Sequence, residues 1–457
     1  METGFEWEGN IFTGFPDASV FFASGFNFYA GGDIYKMASW NLAAATHLLY
    51  MNREKRGAPD REVYTAPAFF PYTLKKSWDG LVSFYYPEGF LAWPDDPSFA
   101  YAFEGEINGV FFDKMLQLRL GRIRRDWGTS AAGTSLFLNS GARPFLALEG
   151  LVSPLPWMNV SFINGALEYF DEEQRRSDSG PFTNMYSALA FEFNPWKFLH
   201  LEFGGSAIWF HQMNFAFFAG VELYLPGNFK LWGNLFADSL NSDLMDFYLL
   251  AGNSYAYQAG LKTAVRWLPF GSFSLRYTKV EPFCYTDSYE TLNGEKLPSP
   301  SAYASGSESL GYYLPPNSDE FFLRLDSMFL RRVKTHLQFQ MIRSGVDFGY
   351  GAPEGSSLLD KCLDPYAAKY FLMDGVYRWD SIIKLGASWN IKANAFPVSV
   401  FAEAGFVNTR FTINAAAWSS GKSGTGYEAE YETINDSVYQ GRKNLIISVG
   451  FRLFCVY

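Results

Sequence analysis

A chain of 457 residues is long enough for two or three soluble domains or for one large barrel, so length alone decides little. Aromatic residues make up 19% of it, yet charged residues reach 18% and mean hydropathy is only -0.09. Aromatics at that level exceed what a soluble core needs, and an α-helical membrane protein would be far more hydrophobic on average. The net charge of -10 argues against a general nucleic-acid or anionic-lipid surface, without speaking for any local patch. An outer-membrane barrel reconciles these facts: its lipid face is apolar, its lumen polar, and aromatic girdles ring both interfaces.

No window of roughly 18 apolar residues offers a membrane-spanning helix. The opening METGFEWEGN has neither a basic n-region nor an apolar core. An exported barrel would have lost its signal peptide, with Met1 a later addition.

In chain order, alternation places strands near 18–30, 34–51, 78–88, 98–111, 115–123, 145–152, 157–164, 183–193, 197–209, 213–225, 229–239, 256–267, 273–282, 319–330, 333–343, 378–391, 398–410 and 442–457. Each carries one apolar parity. Met213, Phe215, Phe217, Ala219, Val221, Leu223 and Leu225 oppose Asn214, Ala216, Phe218, Gly220, Glu222 and Tyr224. Val333, Thr335, Leu337, Phe339 and Met341 oppose Lys334, His336, Gln338 and Gln340. The expected fold is thus all-β: a single transmembrane antiparallel barrel domain over 1–457 with about 18 strands, 16 to 20 being compatible with the pattern. The segment from Gly4 to Gly14 reads as a further strand, and the connection from Asn52 to Trp78 falls on the wrong side of this count.

Short connections at Asp113-Lys114, 153–156, Asn194-Pro195, 226–228, 269–272 and 330–332 alternate with long polar ones at 123–144, 165–182, 283–318, 344–377 and 411–441. Short periplasmic turns and long loops at the cell surface are expected. Trp157, Trp196 and Trp267 abut short turns and belong to an inner aromatic girdle.

The segment Leu116 to Pro144, LQLRLGRIRRDWGTSAAGTSLFLNSGARP, is the most unusual. Alternation turns Glu104 and Glu106 inward, facing Arg119 across the Asp113-Lys114 turn. A lumenal ion-pair ladder that neutralises buried charge is the plainer reading of these three. Arg122, Arg124, Arg125, Asp126, Trp127 and Arg143 then gather at the mouth, where guanidinium forks bind carboxylates or sugar hydroxyls and an indole offers a stacking face.

Here a family resemblance enters. The run Gly121-Arg122, Trp127-Gly128, Ser135 to Asn139 and Ala142 to Phe145 resembles the corresponding segment of the capsule-assembly outer-membrane barrels, the Wzi-like family. The resemblance covers some thirty residues and the alternating strands after them. It implies a barrel of about 18 strands that binds surface polysaccharide as a lectin, without enzymatic activity. The competing reading is a porin for small or hydrophobic solutes. Lys262, Arg266, Arg276, Arg324, Lys334 and Lys384 on the lumenal parity, set among carboxylates and Phe218, Trp232 and Phe236, suit oligosaccharide binding, solute passage or a salt-bridged closed lumen alike.

Enzymatic readings have little support. The four histidines, His47, His200, His211 and His336, are dispersed, with no HExxH, GxSxG or P-loop, and no cofactor is implied. Cys284 and Cys362 fall in two loops at one end, where an oxidising compartment would let them bridge, while Cys455 is a small hydrophobe of the last strand. The expected partners are the outer-membrane bilayer, the barrel assembly machinery, and a polysaccharide or small solute.

The final stretch, KNLIISVGFRLFCVY, turns Leu445, Ile447, Val449, Phe451, Leu453 and Cys455 to one face and ends on Tyr457. A terminal aromatic in such a strand, with Phe451 behind it, is the kind of ending the assembly machinery reads. It should pair with the first strand, near 18–30. Replacing Tyr457 by Ala should lower the yield of heat-modifiable barrel in the membrane fraction, and wild-type yield would refute the assignment.

Overall fold

The computed structural model describes residues 2–10, 16–34, 38–53, 74–79, 82–87, 91–93, 96–112, 114–123, 125–128, 134–139, 142, 144–168, 184–209, 213–239, 252–286, 288–290, 296–298, 302–305, 308–345, 355–356, 376–392, 397–414, 431–433 and 442–453. The main sheet holds 20 strands, of which the short Leu91–Trp93 and Tyr431–Thr433 each pair on one side only. The other 18 form the wall. They are β1 (Glu2–Asn10), β2 (Pro16–Ile34), β3 (Ala38–Arg53), β4 (Asp96–Phe111), β5 (Leu116–Ile123), β6 (Phe145–Leu155), β7 (Met158–Ala166), β8 (Met185–Trp196) and β9 (Leu199–Trp209). The second half comprises β10 (Asn214–Leu225), β11 (Phe229–Ser239), β12 (Ser254–Val265), β13 (Gly271–Val280), β14 (Ser318–Phe329), β15 (Val333–Gly345), β16 (Val376–Lys392), β17 (Pro397–Asn414) and β18 (Arg442–Leu453).

Each wall strand pairs antiparallel with its neighbours in sequence, and β18 pairs with β1, so the pairings return to their start. The sheet is a transmembrane antiparallel barrel. No helix among the described residues is long and apolar enough to cross a membrane.

Two expectations are corrected. The closing strand pairs with Glu2–Asn10 in the register Phe5 to Val449, rather than with 18–30. Residues 78–88 are not in the wall: Leu74–Asp79 and Val82–Pro87 form a separate hairpin. Adding one strand and removing the other keeps the total even, and puts the connection after β3 at the long-loop end, where the earlier parity conflict disappears. A short alternating run such as Trp78, Val82, Phe84 and Tyr86 on one parity looks the same whether it is wall or hairpin, because alternation reports a two-faced strand and not its partner.

Alternation divides the wall as anticipated. Phe203, Phe215, Phe217, Leu337, Ile383 and Leu385 are exposed large apolars on the outward parity. Glu202, Glu222, Gln258, Arg276, Glu320, Gln338 and Lys384 are buried on the inward one. Trp157, Trp196 and Trp267 stand exposed beside the short turns. The strands extend through Pro154 and Pro195, each of which sits at a register shift. A residue without an N–H is tolerated where the ladder is already interrupted.

The seam can be tested directly, since residues opposed across an antiparallel pair bring their Cβ atoms within about 4.5–5.5 Å. In a background lacking the three native cysteines, Phe5→Cys with Val449→Cys should form a disulfide in the assembled barrel. Failure to cross-link under oxidation would place the seam elsewhere.

Candidate functional site

The site grows from the inward face of β5. Arg119 donates from Nε to Glu149 Oε2 at 2.9 Å and again through Nη2, while Nη1 lies 3.5 Å from Glu106. The sequence had paired Arg119 with Glu104 and Glu106, but Glu149 is its main partner. Arg119 and Glu149 stand directly opposite in the β5–β6 register. Glu149 is the only acid in Phe145–Leu155 and lies on the inward parity, the signal that could have found it. Of Glu104, the backbone of β4 is described, opposite Ala45.

Arg125 is the residue on which the loop after β5 turns. It is buried at 3% exposure, and each of its five N–H donors has an acceptor nearby. Nε donates to Glu149; Nη1 donates to the carbonyls of Ile123 (2.8 Å) and Phe145 (2.6 Å); Nη2 donates to those of Gly121 (2.7 Å) and Ala147 (3.4 Å). Its guanidinium also lies 4.6 Å from the Phe145 ring centroid. Burial disfavours its charged form, and the charge and hydrogen bond of Glu149 oppose that effect. Nothing of Arg125 is left over for a ligand; it ties both ends of the loop to the wall.

Arg122 occupies the outward parity of β5, opposite the exposed Leu146, and pairs with Glu168 at 2.7 Å. It sits on the outer rim and not in the lumen. Asp126 is exposed, Trp127 half-buried, and Arg124 and Arg143 lie outside the described residues. The structure thus brings Arg119, Arg125 and Glu106 together around Glu149, and carries Arg122 away from them.

Beyond Trp127 the chain folds inward instead of rising above the mouth. Trp127 and Leu138 form a bridge, with the Trp127 N–H donating to the Leu138 carbonyl at 2.9 Å. Ser135 Oγ donates to the Trp127 carbonyl and accepts from the N–H groups of Phe137 (3.1 Å) and Leu138 (3.2 Å). A serine in this turn position satisfies backbone groups that the bend would otherwise strand. Leu136, Phe137 and Leu138 are all buried, and Phe137 stacks on the wall residue Phe218 at 3.8 Å between centroids. Phe218 can lie flat because it opposes Gly204, where a Cβ would come within 2.7 Å of the ring.

The 283–318 connection, read from sequence as a long polar surface loop, covers this segment. Its Tyr285, Tyr303, Leu310 and Tyr312 are fully buried. Tyr285 Oη donates to the Leu136 carbonyl at 2.7 Å, and Tyr303 Oη to the Phe137 carbonyl at 2.9 Å. The Asn139 N–H donates to the Leu310 carbonyl at 2.7 Å, and from the wall Gln258 Nε2 donates to the Thr134 carbonyl at 3.0 Å. Arg276, Tyr312, Tyr313 and Gln340 all donate to the buried Glu320. These tyrosines were missed because aromatics in an aperiodic loop have no parity; their density in a nominally exposed segment was the available hint. Cys284 is likewise fully buried, while Cys362 and Tyr457 lie outside the described residues. Phe451 is described only through its backbone, opposite Thr3 and Val400.

Toward the short turns the inner surface is more open. Lys230 pairs with Glu222, and its Nζ lies 5.7 Å from the Tyr224 ring and 5.9 Å from that of Trp232. Arg324 pairs with Asp326 at 2.9 Å, both partly exposed. No group of metal-ligating side chains occurs among the described residues.

Solved structures of outer-membrane barrels are similar to this chain. The capsule-assembly protein Wzi of Escherichia coli, a carbohydrate-binding β-barrel, superposes over 99% of this chain and 85% of its own, with a TM-score of 0.53 and 9% identity. The fold is that of a bacterial outer-membrane β-barrel. OprD of Pseudomonas aeruginosa matches over 100% of this chain and 94% of its own, with a TM-score of 0.48 and 10% identity. OpdK of Pseudomonas aeruginosa, solved with vanillate, matches over 99% and 98%, with a TM-score of 0.49 and 12% identity. At such identities the likeness is one of fold alone. No family model matches the sequence, and no curated protein does.

Removing both phenols that hold the inner segment, by Tyr285→Phe with Tyr303→Phe, leaves two buried carbonyls without donors, at a cost of about 1–3 kcal/mol each. The outer-membrane barrel should still assemble, but residues 125–144 should become protease-sensitive in the folded protein. Burial raises both phenols well above their ordinary value of 10.0, so their contribution is complete below that pH and is lost as pH rises through the raised values. Loop protection should therefore persist to about pH 10 and fall beyond it; loss of protection near neutral pH would contradict this.

Proposed function

We propose that this chain is a non-enzymatic, lectin-like protein of the bacterial outer membrane that binds surface polysaccharide at its loop end, in capsule or exopolysaccharide attachment or assembly. The whole chain, residues 1–457, acts as one barrel domain, folded by the outer-membrane assembly machinery. The observation that carries the reading is the inward-folded segment Ser135–Asn139, packed on Phe218 and roofed by Tyr285 and Tyr303. A binding protein gains from a rigid floor beneath its ligand, because less ordering is left to be done on binding. The same segment carries the resemblance to the Wzi-like barrels.

In this reading the ligand groups are Asp126 and Trp127 at the mouth together with Arg124 and Arg143, and Arg125 and Glu149 hold the loop that presents Asp126 and Trp127. An indole and charged hydrogen-bonding groups are the usual means of gripping a sugar ring and its hydroxyls or carboxylates. The porin reading keeps one observation in its favour: Lys230, flanked by Tyr224 and Trp232, offers a charged and aromatic surface to a solute entering from the short-turn end.

Planar-bilayer recording together with a glycan array separates the two. The lectin reading expects no stable channel, and glycan binding reduced at least tenfold by Trp127→Ala or Asp126→Ala, about 1.4 kcal/mol or more. A persistent open conductance in the wild-type protein would overturn it in favour of the porin.

A further inference from the structure

On the outside of the barrel, six residues from six consecutive strands stand in one register row: Tyr257, Lys279, Asp319, Arg343, Trp379 and Arg410. All lie on the outward parity near the long-loop end. Arg343 Nε donates to Asp319 Oδ1 at 2.8 Å, and Tyr277 Oη donates to Asp319 Oδ2 at 2.9 Å. The Trp379 ring lies between two guanidinium groups, Arg343 at 5.1 Å and Arg410 at 4.7 Å from its centroid. Its indole N–H donates to Thr412 Oγ1 at 2.9 Å, which fixes the ring edge. Lys279 lies 5.2 Å from the Tyr257 ring and pairs with Glu281 at 3.3 Å. Lys443, exposed on β18 opposite Asn408, extends the basic edge past Arg410.

The depth of this row follows from β16. Trp379 and the exposed Trp389 share its outward face, ten residues apart, and only Ser381, Ile383, Leu385 and Ala387 lie between them on that face. At about 3.3 Å per residue and a tilt of about 40°, the two indoles stand roughly 25 Å apart along the membrane normal, the height of the apolar band. Trp389 therefore marks the inner interface and Trp379 the outer one, which sets the cationic row at the level of the outer-leaflet headgroups. Four cations, Lys279, Arg343, Arg410 and Lys443, meet two carboxylates there, Asp319 and Glu281. Arg410 is exposed, and its contact among the described residues is the Trp379 ring.

We propose that this outward row, centred on Arg343, Trp379 and Arg410, is a binding surface for the phosphorylated headgroup of an outer-leaflet glycolipid. Planar guanidinium groups on either side of an indole suit a phosphate on a sugar: the cations take the phosphate oxygens bidentately and the ring takes the apolar face of the saccharide. Surface cations near anionic headgroups attract them electrostatically. The proposal rests on the outer-membrane reading but not on the choice between lectin and porin.

The test is native mass spectrometry of the delipidated, detergent-solubilised barrel titrated with lipid A, a phosphorylated acylated disaccharide, and with its dephosphorylated form. Wild-type protein should retain the phosphorylated lipid about tenfold better, and Arg343→Gln with Arg410→Gln should reduce retention to the dephosphorylated level. Arg331→Gln with Arg332→Gln, at the short-turn end, should change nothing. Arg410→Gln alone leaves the Asp319 pair intact and should give an intermediate loss, which covers failure of the double variant to fold. Equal retention of both lipids, or undiminished retention in a heat-modifiable variant, would overturn the proposal. So would displacement of the lipid by millimolar inorganic phosphate, which would make the site one for a free anion. Absence of heat-modifiable barrel in the wild type would instead count against the outer-membrane reading itself.

Discussion

Hydrocarbon offers no hydrogen-bond partner to a peptide group, so a sheet that crosses it must satisfy its own edges. Every other feature of this molecule depends on that closure. The pairing of Glu2–Asn10 with Arg442–Leu453 removes the last two edges, and it does so with Glu2 opposite Arg452 at the short-turn side. Once the ring is closed, outward positions meet lipid and inward ones do not. The alternation of Phe215 and Phe217 with Ala216 and Phe218 then becomes a difference of solvent, not of depth within a core.

Closing so many strands creates a wide interior that side chains of the wall cannot fill alone. The chain fills part of it with its own loops. That requires the loop after β5 to turn inward at once, and Arg125 makes the turn by donating to four backbone carbonyls as well as to Glu149. A buried guanidinium is tolerable only with such complete pairing. Glu149, held also by Arg119, is thus shared between the wall ladder and the loop anchor. Tyr285 and Tyr303 then clamp from above, so that two connections separated widely in sequence form one packed unit inside the barrel.

The outside of the barrel is governed by the same closure. Outward positions between Trp379 and Trp389 are uncharged, and among the described residues charge appears near the long-loop rim, as Arg122 of β5 with Glu168 and as the Lys279 to Arg410 row. The net charge of the chain, -10, gives no hint of this local cationic band. Charge summed over a chain averages surfaces that never meet the same surroundings.

Class, parity and polarity were legible in the sequence, because alternation over about ten residues needs only the chain's own periodicity. Leu385, Lys384 and Glu222 lie on the faces their parity assigns. Partners were not legible. Residues 78–88 alternate well yet form a side hairpin, and Arg119 donates chiefly to Glu149, its opposite in the β5–β6 register, a partner that alternation did not single out. The candidate segment was singled out by its composition, but not the inward course that separates Arg125 from Arg122. Periodicity is a property of one strand and its two faces, and it determined that this protein is a barrel with an apolar outside. Register, seam and the descent of the loops depend on which residues meet across strands and loops, from Arg119 with Glu149 to Tyr303 with Phe137, and only the closed tertiary structure decided those.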